Sequence, residues 1–222
     1  MPPPQVTQGS IADVVSNLHA VAGELRSIAA AWSLLPRLHL PVAQTKLLIC
    51  IADELKTFGK DLRADTRLLA WRTRNVFELF LLLHKTSTEE TAKVFAAQAL
   101  TDEIGILEGL LGLVAPGDSR VQPARDEVQR LHATLSRYGT LKTKHWTISE
   151  LARTAGHKAE YDAFFKVCSK YVHPSGWSVA APVETLDSVE YQEIFIHTVQ
   201  RYVHHSRGLA QETLLSATRR VK

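Results

Sequence analysis

The stretch WRTRNVFELFLLLH, residues 71–84, decides the fold. From Val76 to Leu83 it is apolar on almost every side of a helix, and Glu78 is the one charge inside the run. A helix that is hydrophobic all round belongs at the centre of a helical protein or in a membrane. A membrane span takes about 20 apolar residues, and this run is far shorter. Residues 61–85 are therefore expected to form a central core helix. Such a helix must be wrapped by others, and the flanking sequence supplies them.

Upstream, Ser10 and Asp13 have the spacing of an N-cap and its N3 acid. Apolar residues then recur at Ile11, Val14, Val15, Leu18, Val21, Leu25, Ile28, Trp32 and Leu35. That period is helical, and Pro36 closes it. Pro41 opens a second helix to about Phe58, with Gly59 as its C′ residue. Downstream, Ser87 and Glu90 read as the capping box of a fourth helix that reaches Val114. APGDS at 115–119 is a turn. A fifth helix covers 123–138 and ends at Gly139, and residues 140–147 are a polar, basic connection. A short helix from Ser149 to Ala155 stops at Gly156. Another from Lys158 to Val172 stops at Pro174. Residues 174–186 read as a loop with two prolines, and a last helix runs over 187–218. No segment alternates apolar and polar residues as a strand would. The expected architecture is all-α, a bundle of about seven helices. It forms a single helical domain over 10–218, between a disordered tail at 1–9 and a basic tail at 219–222.

Composition agrees. The 222 residues include 29 Leu and 25 Ala but only 11 Gly and 9 Pro. Helix formers are in surplus and turn residues scarce, which argues against a sandwich or barrel. The net charge of +3 is too small to be a nucleic-acid footprint by itself. It is uneven, with a net of −1 over residues 1–111 and +4 over 112–222. Cys50 and Cys168 stand far apart and form no C-x-x-C pattern, so a reduced, cytoplasmic setting is expected. The opening MPPPQVTQGS has neither the basic nor the apolar region of a signal peptide, and no membrane segment is expected.

Two polar constellations interrupt this apolar chain. In the first, Arg74 lies one turn before Glu78, close enough to pair with it. An acid in so apolar a helix must be paired. Arg67 and Trp71 extend the same polar stripe. In the second, Lys166, Ser169 and His173 stand at i, i+3 and i+7 within YDAFFKVCSKYVHPS (161–175) and share one helix face. His173 falls at the helix C-terminus, where a cationic imidazole is favoured. There it is suited to bind an anion, to transfer a proton, or simply to cap its own helix. Glu193, His197, Arg201 and His205 share a drifting face of the last helix and read as a solvated, charge-laced surface. A metal site is not expected there, because structural and catalytic zinc need three or four ligands at tighter spacing. ISELARTAG (148–156) looks like the first half of a helix-turn-helix. The following segment is too aromatic and apolar to read base edges.

RTRNVFELFLLLH (72–84) and the segment from WTISELA to YDAFFKVCSKYVHPS (146–175) together resemble a broad family of bacterial all-helical domains of unknown function. That family carries R-x-x-x-E on a central helix, then a Tyr, then S-x-x-x-H followed by a small residue and Ser. Arg74, Glu78, Tyr161, Ser169, His173 and Ser175 match the pattern. More distantly the chain is similar to HEPN-type helical domains, which carry R-x4–6-H, dimerise and cleave RNA without metal. The resemblance implies a HEPN-like fold and a homodimer. It also implies RNA as the partner and a metal-independent ribonuclease of toxin or defence type. Glu78 and His173 would be catalytic, Arg74, Lys166 and Ser169 would bind substrate, and no cofactor would be needed. Lys166 stands where those ribonucleases have Arg, and a Lys cannot hold a phosphate bidentately. Pro174 also departs from their pattern. The alternative is a non-catalytic helical module that binds a partner protein or a small anion, with the same residues forming a polar network that fixes packing.

Overall fold

The computed structural model describes residues 6–62, 65–115, 117–138 and 145–221, with side chains to Arg219. Among these residues every regular element is helical. The order is α1 (Ile11–Ser33), α2 (His39–Asp61), α3 (Thr66–Lys85), α4 (Glu89–Leu111), α5 (Val121–Ser136) and α6 (Ile148–Thr154). Next comes a continuous run of α7 (Lys158–Glu160), a π turn (Tyr161–Phe165) and α8 (Lys166–Val172). Two short helices, α9 (Gly176–Ala180) and α10 (Val183–Leu186), lead to α11 (Val189–Val221). No helix of the described residues is long and apolar enough to cross a membrane.

The core lies between α1, α2, α3 and α11, with α8 closing one side. Trp32, Phe58, Phe195 and Tyr202 are wholly buried at its centre. The apolar run of α3 feeds that core: Val76, Phe77, Phe80, Leu81 and Leu83 are buried. Phe77 meets the edge of Tyr202 at 4.7 Å between ring centroids, an arrangement favoured by the ring quadrupoles. α4 and α5 form a hairpin that rests on α2 through α4 and buries little of its own.

Several boundaries differ from the sequence expectation, each for a local reason. α1 starts as expected, with the Ser10–Asp13 capping box intact. α3 begins only at Thr66, where Asp65 accepts the Arg67 N–H at 2.7 Å. The Ser87–Glu90 capping box does not form, because Thr88 is the N-cap of α4 and accepts from the Thr91 N–H at 3.3 Å. Glu89 reaches across instead and accepts the backbone N–H groups of His39 and Leu40 at 2.9 and 2.8 Å. It thereby caps α2, whose own N-cap Leu38 has no side-chain acceptor, and α2 starts two residues before Pro41. Gly59 lies inside α2, while Gly156, at φ +78°, does end α6 in the left-handed conformation open to glycine. Residues 174–186 are not a loop. Ser175 and Ser178 form a reciprocal capping box that nucleates α9, and α10 follows Pro182. The chain therefore has more helical segments than the seven expected.

At the ends, Thr7 is tied down, its N–H donating to Gln200 Oε1 of α11 at 2.8 Å. Residues 1–5 of the expected tail, Gly139 and most of the basic connection at 140–147 lie outside the described residues. α11 carries on through Val221, so the helix takes in most of the expected basic tail.

Candidate active site

The two constellations, 99 residues apart in sequence, meet at one guanidinium. Arg74 Nε donates to Glu78 Oε1 at 2.9 Å, and Arg74 Nη1 lies 2.7 Å from His173 Nε2. Local backbone rules aim the imidazole there. His173 precedes Pro174, which disfavours the helical conformation, and His173 is extended with φ −105° and ψ 139°. Its N–H still closes α8 onto the Ser169 carbonyl at 3.0 Å, but the ring turns off the helix axis towards α3. It does not cap its own helix. The guanidinium also lies over the Phe165 ring at 4.8 Å, so the π turn supplies its floor.

Both ends of this arrangement accept from Arg74. A guanidinium is donor only, so the 2.7 Å contact requires a lone pair on Nε2 and places the ring proton on Nδ1. The cluster is a cation held between a carboxylate and a neutral imidazole. It is open to solvent: the Arg74 and Glu78 side chains are 23% and 27% exposed, and His173 is exposed. Arg74 keeps N–H groups on Nη1 and Nη2 beyond these two bonds, enough for an incoming anion.

Lys166 and Ser169 are not drawn in. Lys166 pairs with Asp162, one turn earlier, at 2.8 Å, and Lys158 takes the same carboxylate at 2.5 Å. These two lysines pull the Asp162 carboxyl below its ordinary range, and Asp162 in turn raises the Lys166 ammonium. Ser169 donates back to the Phe165 carbonyl at 2.9 Å, as hydroxyls within helices do. Tyr161 stacks on Phe165 with centroids 5.0 Å apart, behind the Arg74 contact. Cys168 lies buried beneath, and burial pushes its thiol up to about 12.

A second cluster, missed in the sequence, fixes this segment in place. Glu160 of α7 accepts from Arg201 Nη2 at 3.1 Å and lies 3.3 Å from His157 Nδ1. Burial works to raise the Glu160 carboxyl, but its own backbone N–H, His157 and Arg201 outweigh it and hold the carboxyl low. His157, Tyr202 and His205 pack around Phe80. The expected solvated face of α11 is thus only half solvated. Glu193 and His197 are exposed, while Arg201 and His205 dock the 157–165 run. The placement of Arg201 one turn before His205 was the available signal, but nothing local pointed to His157 or Glu160. Among the described residues no group of three or more His, Cys, Asp or Glu is arranged to hold a metal ion.

Comparison of the chain with family models, curated proteins and solved structures finds no match. The functional reading therefore rests on the cluster itself.

Proposed function

We propose that this protein is a HEPN-like, metal-independent endoribonuclease acting through Arg74, Glu78 and His173. One observation carries the reading: Glu78 and His173, from opposite constellations, share a single, partly exposed guanidinium. An anion that takes the Nη1–H now given to His173 frees the Nε2 lone pair to act as a base. Nε2 then takes the proton of the 2′-hydroxyl as that oxygen attacks phosphorus. Arg74 holds the charge that develops on the phosphoryl oxygens. The O2′–P bond forms, the P–O5′ bond breaks, and the imidazolium returns its proton to the leaving 5′ oxygen. The products are a 2′,3′-cyclic phosphate and a 5′-hydroxyl. Glu78 keeps the guanidinium in place throughout. An open, shallow cluster suits a strand better than an enclosed small molecule, and the homodimer implied by the resemblance belongs to this reading.

The second reading is a non-catalytic module that binds a partner protein or a small anion. It is favoured by Lys166 and Ser169 being occupied within their own helix. Purified protein with single-stranded RNA separates the two. Cleavage that leaves cyclic-phosphate ends and is lost in His173→Ala supports the ribonuclease. Cleavage unchanged in that variant, or absent from the wild type, overturns it.

A further inference from the structure

The outward stripe of α3 carries Arg67, Trp71, Arg74, Glu78 and Lys85 at i, i+4, i+7, i+11 and i+18, spacings that keep them on one side of a helix. At 1.5 Å per residue the stripe is about 27 Å long. Trp71 stands out in it, with 43% of its surface exposed beside a core that buries Trp32 completely. The Arg72 guanidinium lies over the Trp71 ring at 4.9 Å, and Arg72 is itself fixed by Glu54 at 3.0 Å and Asp61 at 3.2 Å. A partly exposed tryptophan backed by an anchored cation is suited to be a stacking platform. It stands one turn, about 4.5 Å along the axis, from Arg74.

We infer that this stripe is the binding track for single-stranded RNA, with Trp71 stacking the base next to the phosphate held by Arg74. The inference rests on the ribonuclease reading and names the residues that hold its substrate. Cations along a line with an exposed aromatic ring between them are what a flexible polyanion with π faces requires. Glu78, the one acid of the stripe, is already bonded to Arg74. Arg67 lines a cavity of about 450 Å³ together with Asp65 and Asp187, whose charges offset its own. Its share of the binding is therefore smaller than that of Arg74.

The test measures fluorescence anisotropy of a labelled, 2′-O-methyl single-stranded oligonucleotide, which lacks the attacking hydroxyl. Trp71→Ala is expected to weaken binding about ten-fold, and Trp71→Phe to recover most of the loss, with unchanged melting in both because the ring is at the surface. Arg67→Ala is expected to lower the salt dependence by up to about 0.7 in the log–log slope, one phosphate contact for a single strand. If Trp71→Ala binds as the wild type does, the track is wrong, while loss of cleavage in His173→Ala still supports the ribonuclease. If the wild type binds the strand through Trp71 but His173→Ala cleaves normally, the track stands and the catalytic reading fails. If the wild type binds no single strand, or prefers an acidic peptide to it, the track is overturned.

Discussion

Arg72 and Arg74 stand two residues apart on the same helix and do different work. Arg72 turns towards α2 and is held by two carboxylates, Glu54 and Asp61, with all three side chains between 16% and 19% exposed. Both carboxylates close on the one guanidinium, and the group staples α3 to α2. Arg74 turns towards α8 and is shared by one carboxylate and one neutral imidazole, at the surface. One carboxylate answers its charge where Arg72 has two, and N–H groups remain free on Nη1 and Nη2. A closed ion-pair network and an open one, built from the same residue type one helix face apart, separate a packing device from the proposed reactive site. The difference lies in what the cation still has to offer.

The two arginines are told apart most clearly at His173. Its replacement by alanine removes the proposed base, and RNA cleavage is expected to fall by about 10²- to 10⁴-fold. The melting temperature should hardly move, because the exposed imidazole contributes one surface hydrogen bond. A large drop in melting temperature with cleavage retained would make the Arg74 cluster a staple like its neighbour.

Arg72→Met is expected to show the largest effect on stability. It strands Glu54 and Asp61 without their cation. Removing one partner of a fully buried pair costs about 3–5 kcal/mol, and the remaining exposure here reduces that to about 2–3 kcal/mol. For a chain of this length the melting temperature should fall by about 5–10 °C, which calorimetry or circular dichroism reads directly. Arg74→Met should cost far less. Equal losses would erase the distinction.

How much of this was legible in the sequence follows the range of the forces involved. The start of α1 could be read to the residue, because a capping box and a 3.6-residue period are local; Val14, Leu18, Val21, Leu25, Ile28 and Trp32 are buried as spaced, while Ile11 of the same row is exposed and the helix stops at Ser33, before Pro36. The Arg74–Glu78 contact was legible for the same reason, being one turn of one helix. Lys166 and Ser169 shared a face with His173, yet sharing a face does not decide who a side chain meets. Asp162 at i−4 and the Phe165 carbonyl took them first. The Glu54–Arg72–Asp61 staple and the His157–Glu160–Arg201 clamp join separate helices, and no spacing within either helix announces the partner. That His173 reaches Arg74 was suggested only by a motif resemblance, and the geometry depends on how α8 lies on α3.

A titration that belongs to neither arginine provides a control. His204 is buried, both ring nitrogens lack a partner among the described residues, and burial, with Arg207 adding to it, lowers its affinity for a proton. Burial lowers that of His205 as well, followed by Arg201 and His157. Both imidazoles are thus held neutral in the fold, while the unfolded chain protonates near the ordinary value of 6.5. Their contribution to stability is fully present above that pH and is lost as pH falls below it towards the depressed folded values. The melting temperature should decline from pH 7 to 5, and His204→Leu should flatten the decline without changing strand cleavage. A decline of equal steepness in the variant would remove His204 from the account.

The smallest effect expected is also the most discriminating. Glu78→Gln keeps an oxygen that accepts from Arg74 Nε and removes only the charge. At 27% exposure the pair is close to a surface salt bridge, worth about 0–1 kcal/mol, so the melting temperature should fall by no more than about 4 °C. The network reading expects a large loss here, as for Arg72→Met, because a carboxylate in an apolar helix would then be essential to packing. Yet Glu78 sits on a partly exposed stripe of α3, between the buried Phe77 and the half-buried Leu79. What looked like a buried acid is a partly exposed one on a helix that otherwise packs mostly into the core. If the variant nevertheless melts as low as Arg72→Met, the Arg74 cluster is a second staple, and the ribonuclease reading loses the residue that orients its cation.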